Sequence, residues 1–269
     1  MTRTTLTAIL LFAGLLVLLA CAALGWIYLR QERLLFQPDV LPADHVFDLG
    51  ADVHEERVAV PGAMLSALHL RLPAPRGVVF FLHGNGGSLE SWFVNADFYR
   101  RANFDLYMID YRGYGKSTGS IESEAQLRAD VRTAWDGVAP RYAGLRRVIF
   151  GRSLGTALAA GLAADVGPEL TILVSPYCSM AVLAKEHFPL VPGVLLRYPL
   201  RTCDDVARLP GRLLLVHGGR DTVVPPHHSE DILARAPTAT ILRLPEAGHN
   251  DLQEFEDYRT ALRDALATL

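Results

Sequence analysis

The stretch that decides the fold is Gly151-Arg152-Ser153-Leu154-Gly155. The apolar residues 148–150 before it predict a buried strand, and the small residues 156–164 after it predict a buried helix. A strand that becomes a helix within so few residues needs a sharp turn, which strains the backbone at its tip. The two glycines remove side chains where strand and helix would otherwise collide. Ser153 then stands at the carboxyl end of the strand, a position typical of a nucleophilic serine.

Length and composition fit one domain of ordinary size. The chain has 269 residues, of which 50% are hydrophobic, enough for the core of a single α/β domain. A formal net charge of −3 gives no basic surface of the kind that binds nucleic acid. Cys21, Cys178 and Cys203 have no C-x-x-C spacing, which argues against a zinc or redox framework. We expect Cys178 and Cys203 to be two buried thiols, although an oxidising compartment would allow them to pair.

Residues 6–29 contain no charged side chain and predict one N-terminal transmembrane helix. At about 1.5 Å per residue, a helix of this length crosses the roughly 30 Å hydrocarbon core of a bilayer. Trp26 and Tyr28 stand near its end, where interfacial aromatic residues are common. A cleaved signal peptide is the competing interpretation, but its apolar region would span only roughly 7–15 residues. We therefore assign residues 1–30 to a membrane anchor and residues 31–269 to the second domain.

The charges that flank the anchor give nearly equal support to both orientations. Arg3 and the α-amine lie on one side, and Arg30 and Arg33, offset by Glu32, lie on the other. Because a long downstream domain can be translocated regardless of flanking charge, we expect this domain on the extracytoplasmic, periplasmic side of the membrane.

The rest of the chain alternates predicted strands and helices. Residues 57–60 and 64–72 predict a β-hairpin that turns at Pro61-Gly62. Six apolar runs then predict buried strands: 77–82, 104–109, 148–150, 170–174, 213–216 and 240–244. The segments between them have helical length, notably 88–101, 122–138 and a terminal helix from Asp251. This alternation predicts an α/β fold with a mainly parallel, eight-stranded sheet flanked by helices.

A glycine-rich loop, His83-Gly84-Asn85-Gly86-Gly87, follows one of these strands. Its glycines let backbone N–H groups turn toward a ligand, which fits either an oxyanion-binding loop or a phosphate loop. No G-x-x-x-x-G-K-[ST] motif is present, so we reject the phosphate interpretation. In the oxyanion interpretation, the backbone N–H groups of Asn85 and Leu154 form the oxyanion hole.

Two further loops at strand ends offer an acid and a base. Asp221 follows the strand at 213–216 and His249 follows the strand at 240–244, which gives the chain order Ser, Asp, His. Sites in α/β sheets are built at the carboxyl edge, where all three residues are expected. A histidine with a pKa near ~6.5 can take the serine proton, and the carboxylate can hold the other ring N–H. We predict a catalytic triad of Ser153, Asp221 and His249.

The other histidines have simpler interpretations. His83 and His217 precede glycines at strand ends and predict structural hydrogen bonds, whereas His227 and His228 follow two prolines and predict surface or helix-capping positions. No H-E-x-x-H motif occurs, so we predict no metal site and no cofactor.

Residues 179–205 interrupt the alternation and predict a short helical cap insert. The segment is apolar, and it either packs on the sheet edge or forms a lid that lines an acyl pocket. In the second interpretation the substrate pocket is lined by Phe188, Leu190, Val191 and Leu195.

Together these motifs resemble the α/β-hydrolase superfamily over roughly residues 50–269. Within it, the chain looks like the membrane-anchored branch related to BEM46 and ABHD13. The resemblance is carried by the N-terminal anchor and these motifs: His83-Gly84-Asn85-Gly86-Gly87, Asp110-Tyr111-Arg112-Gly113-Tyr114-Gly115, Gly151-Arg152-Ser153-Leu154-Gly155, Gly218-Gly219-Arg220-Asp221 with Val224-Pro225, and Gly248-His249. It implies the α/β-hydrolase fold and the triad already named, and it implies no substrate.

The predicted function is a serine hydrolase that cleaves carboxylic esters or thioesters, acyl or lipid-like, through an acyl-enzyme. A serine peptidase or amidase is the alternative, since the same triad serves both reactions. A catalytically silent binding protein with this fold would be expected to lack a member of the triad, and this chain has all three. The expected partners are a small-molecule or lipid ester and the membrane.

Overall fold

Ten strands are present in the computed structural model, which describes residues 2–236 and 238–269. They are β1 (Gln37–Pro38), β2 (Val53–Val60), β3 (Ala63–Leu70), β4 (Gly77–Leu82), β5 (Gly86–Gly87), β6 (Asp105–Ile109), β7 (Arg146–Arg152), β8 (Leu170–Val174), β9 (Arg212–Gly218) and β10 (Thr240–Leu244). Eight of them form one sheet in the order β10-β9-β8-β7-β4-β6-β3-β2. The short strands β1 and β5 pair with each other. The predicted eight-stranded sheet is confirmed.

Most of this sheet is parallel. Only β2 with β3, and β3 with β6, are antiparallel among the described strand pairs. The β2–β3 hairpin turns at Gly62, whose φ of +75° is a left-handed conformation that glycine adopts without strain. The carboxyl ends of β4, β7, β8, β9 and β10 therefore meet at one edge, which carries every loop with a predicted catalytic residue.

The helices lie between these strands. They are α1 (Arg3–Leu29), α2 (Gln31–Leu35), α3 (Leu89–Trp92), α4 (Ala96–Ala102), α5 (Glu124–Val138), α6 (Gly155–Val166), α7 (Met180–His187), α8 (Thr202–Val206), α9 (His227–Arg235) and α10 (Glu256–Ala267). Two differ from the sequence prediction. The single helix expected over 88–101 is broken by a 3₁₀ turn at Phe93–Asn95, and the terminal helix begins at Glu256, after another 3₁₀ turn at Leu252–Glu254.

The sheet is buried on both faces. In β4, Val78, Phe80 and Leu82 belong to one core cluster, which includes residues of α5 and α6, and Val79 and Phe81 belong to another, which includes residues of α4 and α10. Successive residues of a strand point to opposite faces, so a strand covered on both sides is apolar throughout. This is why β4 is a continuous apolar run.

The helix α1 is long and apolar enough to cross a membrane, with a mean hydropathy of 2.7 over its best 18-residue window and none of that window buried. The segment 179–205 contains α7, a 3₁₀ turn at Gly193–Leu195 and most of α8. A disulfide joins Cys178 to Cys203 across this segment. The expectation of two free buried thiols was therefore wrong, because the segment returns to its starting point and brings residues 25 positions apart together.

Candidate active site

Ser153 occupies the tip of a strained turn between β7 and α6. Its φ is +50°, a left-handed conformation that is uncommon for a residue other than glycine. The Ser153 N–H donates to the carbonyl oxygen of Val174 at 2.9 Å, and the Ser153 carbonyl accepts from the Thr156 N–H at 3.0 Å and from its hydroxyl at 2.6 Å. These bonds hold the turn in its strained geometry.

The glycines on either side of this turn lie where no side chain fits. A Cβ built on Gly155 would lie 2.1 Å from the carbonyl oxygen of Leu82, and one built on Gly151 would lie 2.6 Å from the Ala159 Cβ. Both distances are far inside van der Waals contact, so α6 packs directly against the sheet only because these residues are glycine.

The three residues of the predicted triad form a chain of hydrogen bonds. His249 Nε2 lies 3.0 Å from Ser153 Oγ, and His249 Nδ1 lies 2.7 Å from Asp221 Oδ2. Because an ionised carboxylate only accepts, the Nδ1–H donates to Asp221 and the Nε2 lone pair faces the serine hydroxyl. The tautomer is thus the one that a general base at Ser153 requires.

Asp221 is held as a carboxylate. Its Oδ1 accepts the backbone N–H groups of Val223 at 3.0 Å and Val224 at 2.8 Å. Burial alone would raise the pKa of Asp221, but hydrogen bonds from His217 and His249, with the positive charge of His249, outweigh it and hold that pKa well below its ordinary value. At neutral pH Asp221 is therefore ionised and accepts the Nδ1–H of His249, which fixes the orientation of the ring.

His217 also contacts the Asp221 carboxylate. The sequence predicted only a structural hydrogen bond for this histidine and no contact with Asp221. The ring is buried, with Nε2 at 2.8 Å from the Val224 carbonyl and 3.4 Å from Asp221 Oδ2. A carbonyl only accepts, so Nε2 carries the proton and Nδ1 accepts from the Ser229 hydroxyl at 2.5 Å. His217 thereby connects α9 to the Asp221 loop.

The glycine-rich loop lies beside Ser153. A Cβ built on Gly84 would lie 3.7 Å from the Ser153 Cβ. Among the described residues, neither the Asn85 N–H nor the Leu154 N–H has a hydrogen-bond acceptor. The two donors predicted for the oxyanion hole are therefore free to receive a ligand oxygen.

Three aromatic side chains that the sequence did not single out support this loop. The Tyr114 hydroxyl donates to the Asn85 carbonyl at 2.6 Å, the Tyr111 hydroxyl donates to the His83 carbonyl at 2.9 Å, and Trp92 Nε1–H donates to the Gly86 carbonyl at 2.7 Å. Both tyrosines belong to the motif at 110–115 that follows β6, and that motif was the available signal.

Arg152 connects the serine turn to the histidine loop. Its guanidinium donates to the His249 carbonyl at 3.1 Å and to Gln253 Oε1 at 3.0 Å, and it lies over the Trp92 ring at 5.7 Å from the centroid. No sequence pattern indicated this role, because the hydrogen-bond partners of Arg152 are about a hundred residues away in the chain.

A cleft of about 610 Å³ opens beside these residues. The wall of the cleft includes the chain neighbours of Asn85, Ser153 and His249, namely Gly86, Arg152 and Asn250. Its apolar surface comes from Phe81, Tyr99, Met108 and Leu262. The four residues predicted to line an acyl pocket do not belong to this cleft. Phe188 and Leu190 are 63% and 91% exposed, and Val191 and Leu195 are half-buried.

One cluster of potential metal ligands lies where the cap meets α9. Glu186, His227 and His228 each bring a ligand atom within 4.8 Å of the others. The Cys178 N–H donates to His228 Nδ1 at 3.3 Å, which leaves the proton of the neutral ring on Nε2, the atom nearest Glu186. His228 is fully buried, so the predicted surface position was wrong for this residue.

Comparison with known proteins shows the family to which this chain belongs. A family model described as serine aminopeptidase, S33, matches residues 73–203. An uncharacterised protein of Mycobacterium tuberculosis is 31% identical over 263 residues, which cover 93% of this chain and 90% of that protein. The α/β hydrolase domain-containing protein 17B of Xenopus laevis is 30% identical over 202 residues, which cover 72% of this chain and 68% of that protein. The chain belongs to the α/β-hydrolase superfamily.

Solved structures show the same fold for this hydrolase. A Pyrococcus furiosus esterase superimposes with a TM-score of 0.69 at 17% identity, covering 87% of this chain and 97% of the esterase. The mouse α/β hydrolase domain-containing protein 10 superimposes with a TM-score of 0.61 at 16% identity, covering 80% and 97% of the two chains. The predicted α/β-hydrolase fold is confirmed.

Proposed function

We propose that this protein is a serine hydrolase that cleaves carboxylic esters or thioesters through an acyl-enzyme. The observation that carries the proposal is the hydrogen-bonded chain from Ser153 through His249 to Asp221, with distances of 3.0 and 2.7 Å. The two unpartnered N–H groups of Asn85 and Leu154 support it, because acyl transfer develops negative charge on the carbonyl oxygen.

The reaction follows from these positions. His249 Nε2 takes the proton of Ser153 as Oγ bonds to the carbonyl carbon, and the carbonyl oxygen becomes an oxyanion bound by the N–H groups of Asn85 and Leu154. The imidazolium is stabilised by Asp221 and then gives its proton to the leaving alcohol or thiol as the carbon–leaving group bond breaks. Water then attacks the acyl carbon as His249 takes its proton, and His249 gives that proton to Ser153 Oγ as the acyl–Oγ bond breaks and the acid leaves.

The test is covalent labelling of the full-length protein in membranes with a fluorophosphonate probe. Wild type should be labelled and Ser153→Ala should not, because the probe reacts with an activated serine. Ser175→Ala is the matched control, since Ser175 also has a φ of +50° at the end of a strand but plays no part in the proposed reaction. Folded wild type that resists the probe would contradict the proposal and would support a catalytically silent protein.

Acyl or lipid-like substrates are supported by the size and surface of the cleft. Its volume of about 610 Å³ lies in the range of small-molecule sites, and its apolar wall suits a hydrocarbon chain. The cap pocket of Phe188, Leu190, Val191 and Leu195 stays the competing proposal. The two proposals are distinguished by comparing hydrolysis of dodecanoyl and acetyl esters. If the cleft binds the acyl chain, Val94→Trp should lower the ratio of dodecanoyl to acetyl ester hydrolysis about tenfold. If the cap binds the acyl chain, Leu195→Trp should lower that ratio instead.

A serine peptidase or amidase is the second candidate, favoured by the description of the matching family model. Amide cleavage needs the same residues, so the triad does not separate the two. Measuring kcat/KM on aminoacyl amides and on acyl esters decides between them. A larger kcat/KM on amides would replace the esterase proposal.

The domain organisation and membrane side complete the proposal. Residues 1–30 anchor the protein, residues 31–269 form the hydrolase domain with its cap at 179–205, and the whole resembles a membrane-anchored BEM46- and ABHD13-like branch. The Cys178–Cys203 disulfide supports an extracytoplasmic hydrolase domain, since disulfides persist in oxidising compartments. Resistance of the protein to alkaline extraction would support the membrane anchor. Digestion of the hydrolase domain by protease added to spheroplasts would support the extracytoplasmic side, whereas protection from protease would place the domain in the cytoplasm.

A further inference from the structure

The cap is fastened to the chain segment that directly follows the proposed membrane anchor. Gln31 Nε2–H donates to the Leu195 carbonyl at 2.6 Å, and the Arg197 N–H donates to Gln31 Oε1 at 2.9 Å. Glu32 accepts from the Tyr198 hydroxyl at 2.8 Å and pairs with the Arg197 guanidinium at 2.6 Å. Gln31 is 3% exposed, so this junction is buried.

The cap nevertheless presents three apolar side chains to solvent. We name Phe188, Leu190 and Val194 the cap tip; they are 63%, 91% and 90% exposed. Isolated exposed apolar residues are ordinary, but three within seven positions, on a segment fastened beside an anchor, form a surface that water solvates poorly.

The short chain between anchor and cap limits how far the cap can lie from the bilayer. The helix α1 ends at Leu29, and Gln31, two residues later, bonds to Leu195, the neighbour of Val194. Two residues span at most about 7 Å. The headgroup layer on each side of the hydrocarbon core is roughly 5–7 Å thick. The backbone of Gln31 therefore lies within or beside that layer when α1 spans the membrane, and the Gln31 side chain holds Leu195, the neighbour of Val194, close to it.

We propose that the cap tip contacts the lipid surface from which α1 emerges, so that the cap is seated on the bilayer. The proposal rests on the proposed anchor. The Arg197 guanidinium also lies over the ring of Tyr28, 5.9 Å from its centroid, which adds a second contact between the cap and the end of α1.

The same cap is bonded to the loop that holds the catalytic acid. His187 Nε2–H donates to the Val223 carbonyl at 2.9 Å, and Glu186 accepts from His227 at 3.0 Å. Val223 is two residues from Asp221 and binds its carboxylate. A cap seated on lipid thus places the active-site edge against the bilayer, and the substrate class that follows is an acyl ester taken from the membrane itself.

Depth measurement on the full chain in phosphatidylcholine and phosphatidylglycerol vesicles tests the contact. In a Cys21→Ser background, Val194→Cys carries an NBD fluorophore, and Leu145→Cys is the matched control, an apolar residue 38% exposed just before β7 at the opposite edge of the sheet. Fluorescence at 194 should be quenched at least threefold more strongly by nitroxide phospholipids than at 145, and should be shielded from aqueous iodide.

Equal iodide access at 194 and 145, without lipid quenching, would overturn the proposal. So would shielding of 194 in lipid-free micelles that grows with protein concentration, because a second copy of the chain would then cover the tip. These readouts do not require activity, so failure of the fluorophosphonate labelling would leave them intact, and failure of the anchor would show separately as extraction at alkaline pH.

Activity gives a second measurement. Val194→Asp should lower the ratio of vesicle-borne to soluble ester hydrolysis about tenfold, because a buried carboxylate opposes contact with lipid. Leu145→Asp should leave that ratio as in wild type. A ratio unaffected by Val194→Asp would contradict the proposal.

Discussion

The Tyr114 hydroxyl donates a 2.6 Å hydrogen bond to the backbone carbonyl of Asn85, 29 residues away, and so fixes one side of the proposed oxyanion hole. Tyr114 is fully buried, and burial raises the pKa of its phenol, so the hydroxyl keeps its proton and stays a donor. The Gln37 N–H donates to the same carbonyl at 2.9 Å, so a second bond remains when the first is lost.

Tyr114→Phe should therefore lower kcat without unfolding the protein. A net hydrogen bond is worth about 0.5–1.5 kcal/mol, which corresponds to a loss of up to about tenfold. Tyr107→Phe, in the buried strand β6, is the control. An unchanged kcat for Tyr114→Phe would show that the Gln37 N–H positions the Asn85 carbonyl without help from Tyr114.

Arg152 should act as a positioning residue for His249. Arg152→Met removes its bonds to the His249 carbonyl and Gln253, and kcat for an acetyl ester should fall about tenfold with little change in KM, because the base loses alignment rather than substrate contact. Arg132→Met, which breaks an exposed pair with Asp136, should have no effect. If KM rises while kcat holds, Arg152 binds substrate instead.

Asp221 should make stability depend on pH in the acid range. Its folded pKa lies below the value near ~3.9 of the unfolded chain, so its contribution is present above that value and is lost as pH falls toward the folded pKa. Asp221→Asn lacks this titration. Its free energy of unfolding should differ from wild type most at pH 7, and the difference should shrink as pH falls from about 5 to 3. Urea unfolding of both proteins in micelles measures this, and a difference that is independent of pH would contradict it.

Replacing Gly155 or Gly137 with alanine should change the free energy of unfolding in opposite directions. Gly155→Ala would press Cβ against the Leu82 and His83 carbonyls, and we expect a loss of about 3 kcal/mol and of activity, because the backbone itself must move. Gly137, in α5, has no atom within 4 Å of a built Cβ, so Gly137→Ala should stabilise by about 0.5–1 kcal/mol. Thermal unfolding of the pair measures the contrast, and equal effects would refute the packing argument.

Local sequence predicted the sheet and the order of its active-site loops. The continuous apolar run of β4 and the small residues of α6 each indicate an element that is buried on every side. Such a pattern can be recognised from the residues of the element itself. The break near Trp92 was not predictable in the same way. The indole N–H bonds to Gly86, and a contact of this kind depends on how the loop folds back.

Elsewhere, features that depend on contacts between residues far apart in the chain were not predictable from the sequence. Cys178 and Cys203 pair because the cap returns to its base, and the cleft forms where residues of α4 and α10, about 160 positions apart in the chain, come together. The residue types of segment 179–205 fit equally well with apolar side chains that line a pocket and with apolar side chains that face solvent.

By itself, the sequence determined the elements, their alternation, the sharp turn at Ser153 and the identity of the candidate acid and base, because periodicity and glycine placement act over a few residues. Only the tertiary structure decided the 3.0 and 2.7 Å distances through His249, the support of the oxyanion loop by Tyr114, the bridge at Arg152 and the junction of cap and anchor. Those depend on segments far apart in the chain, whose approach is set by the packing of the whole sheet.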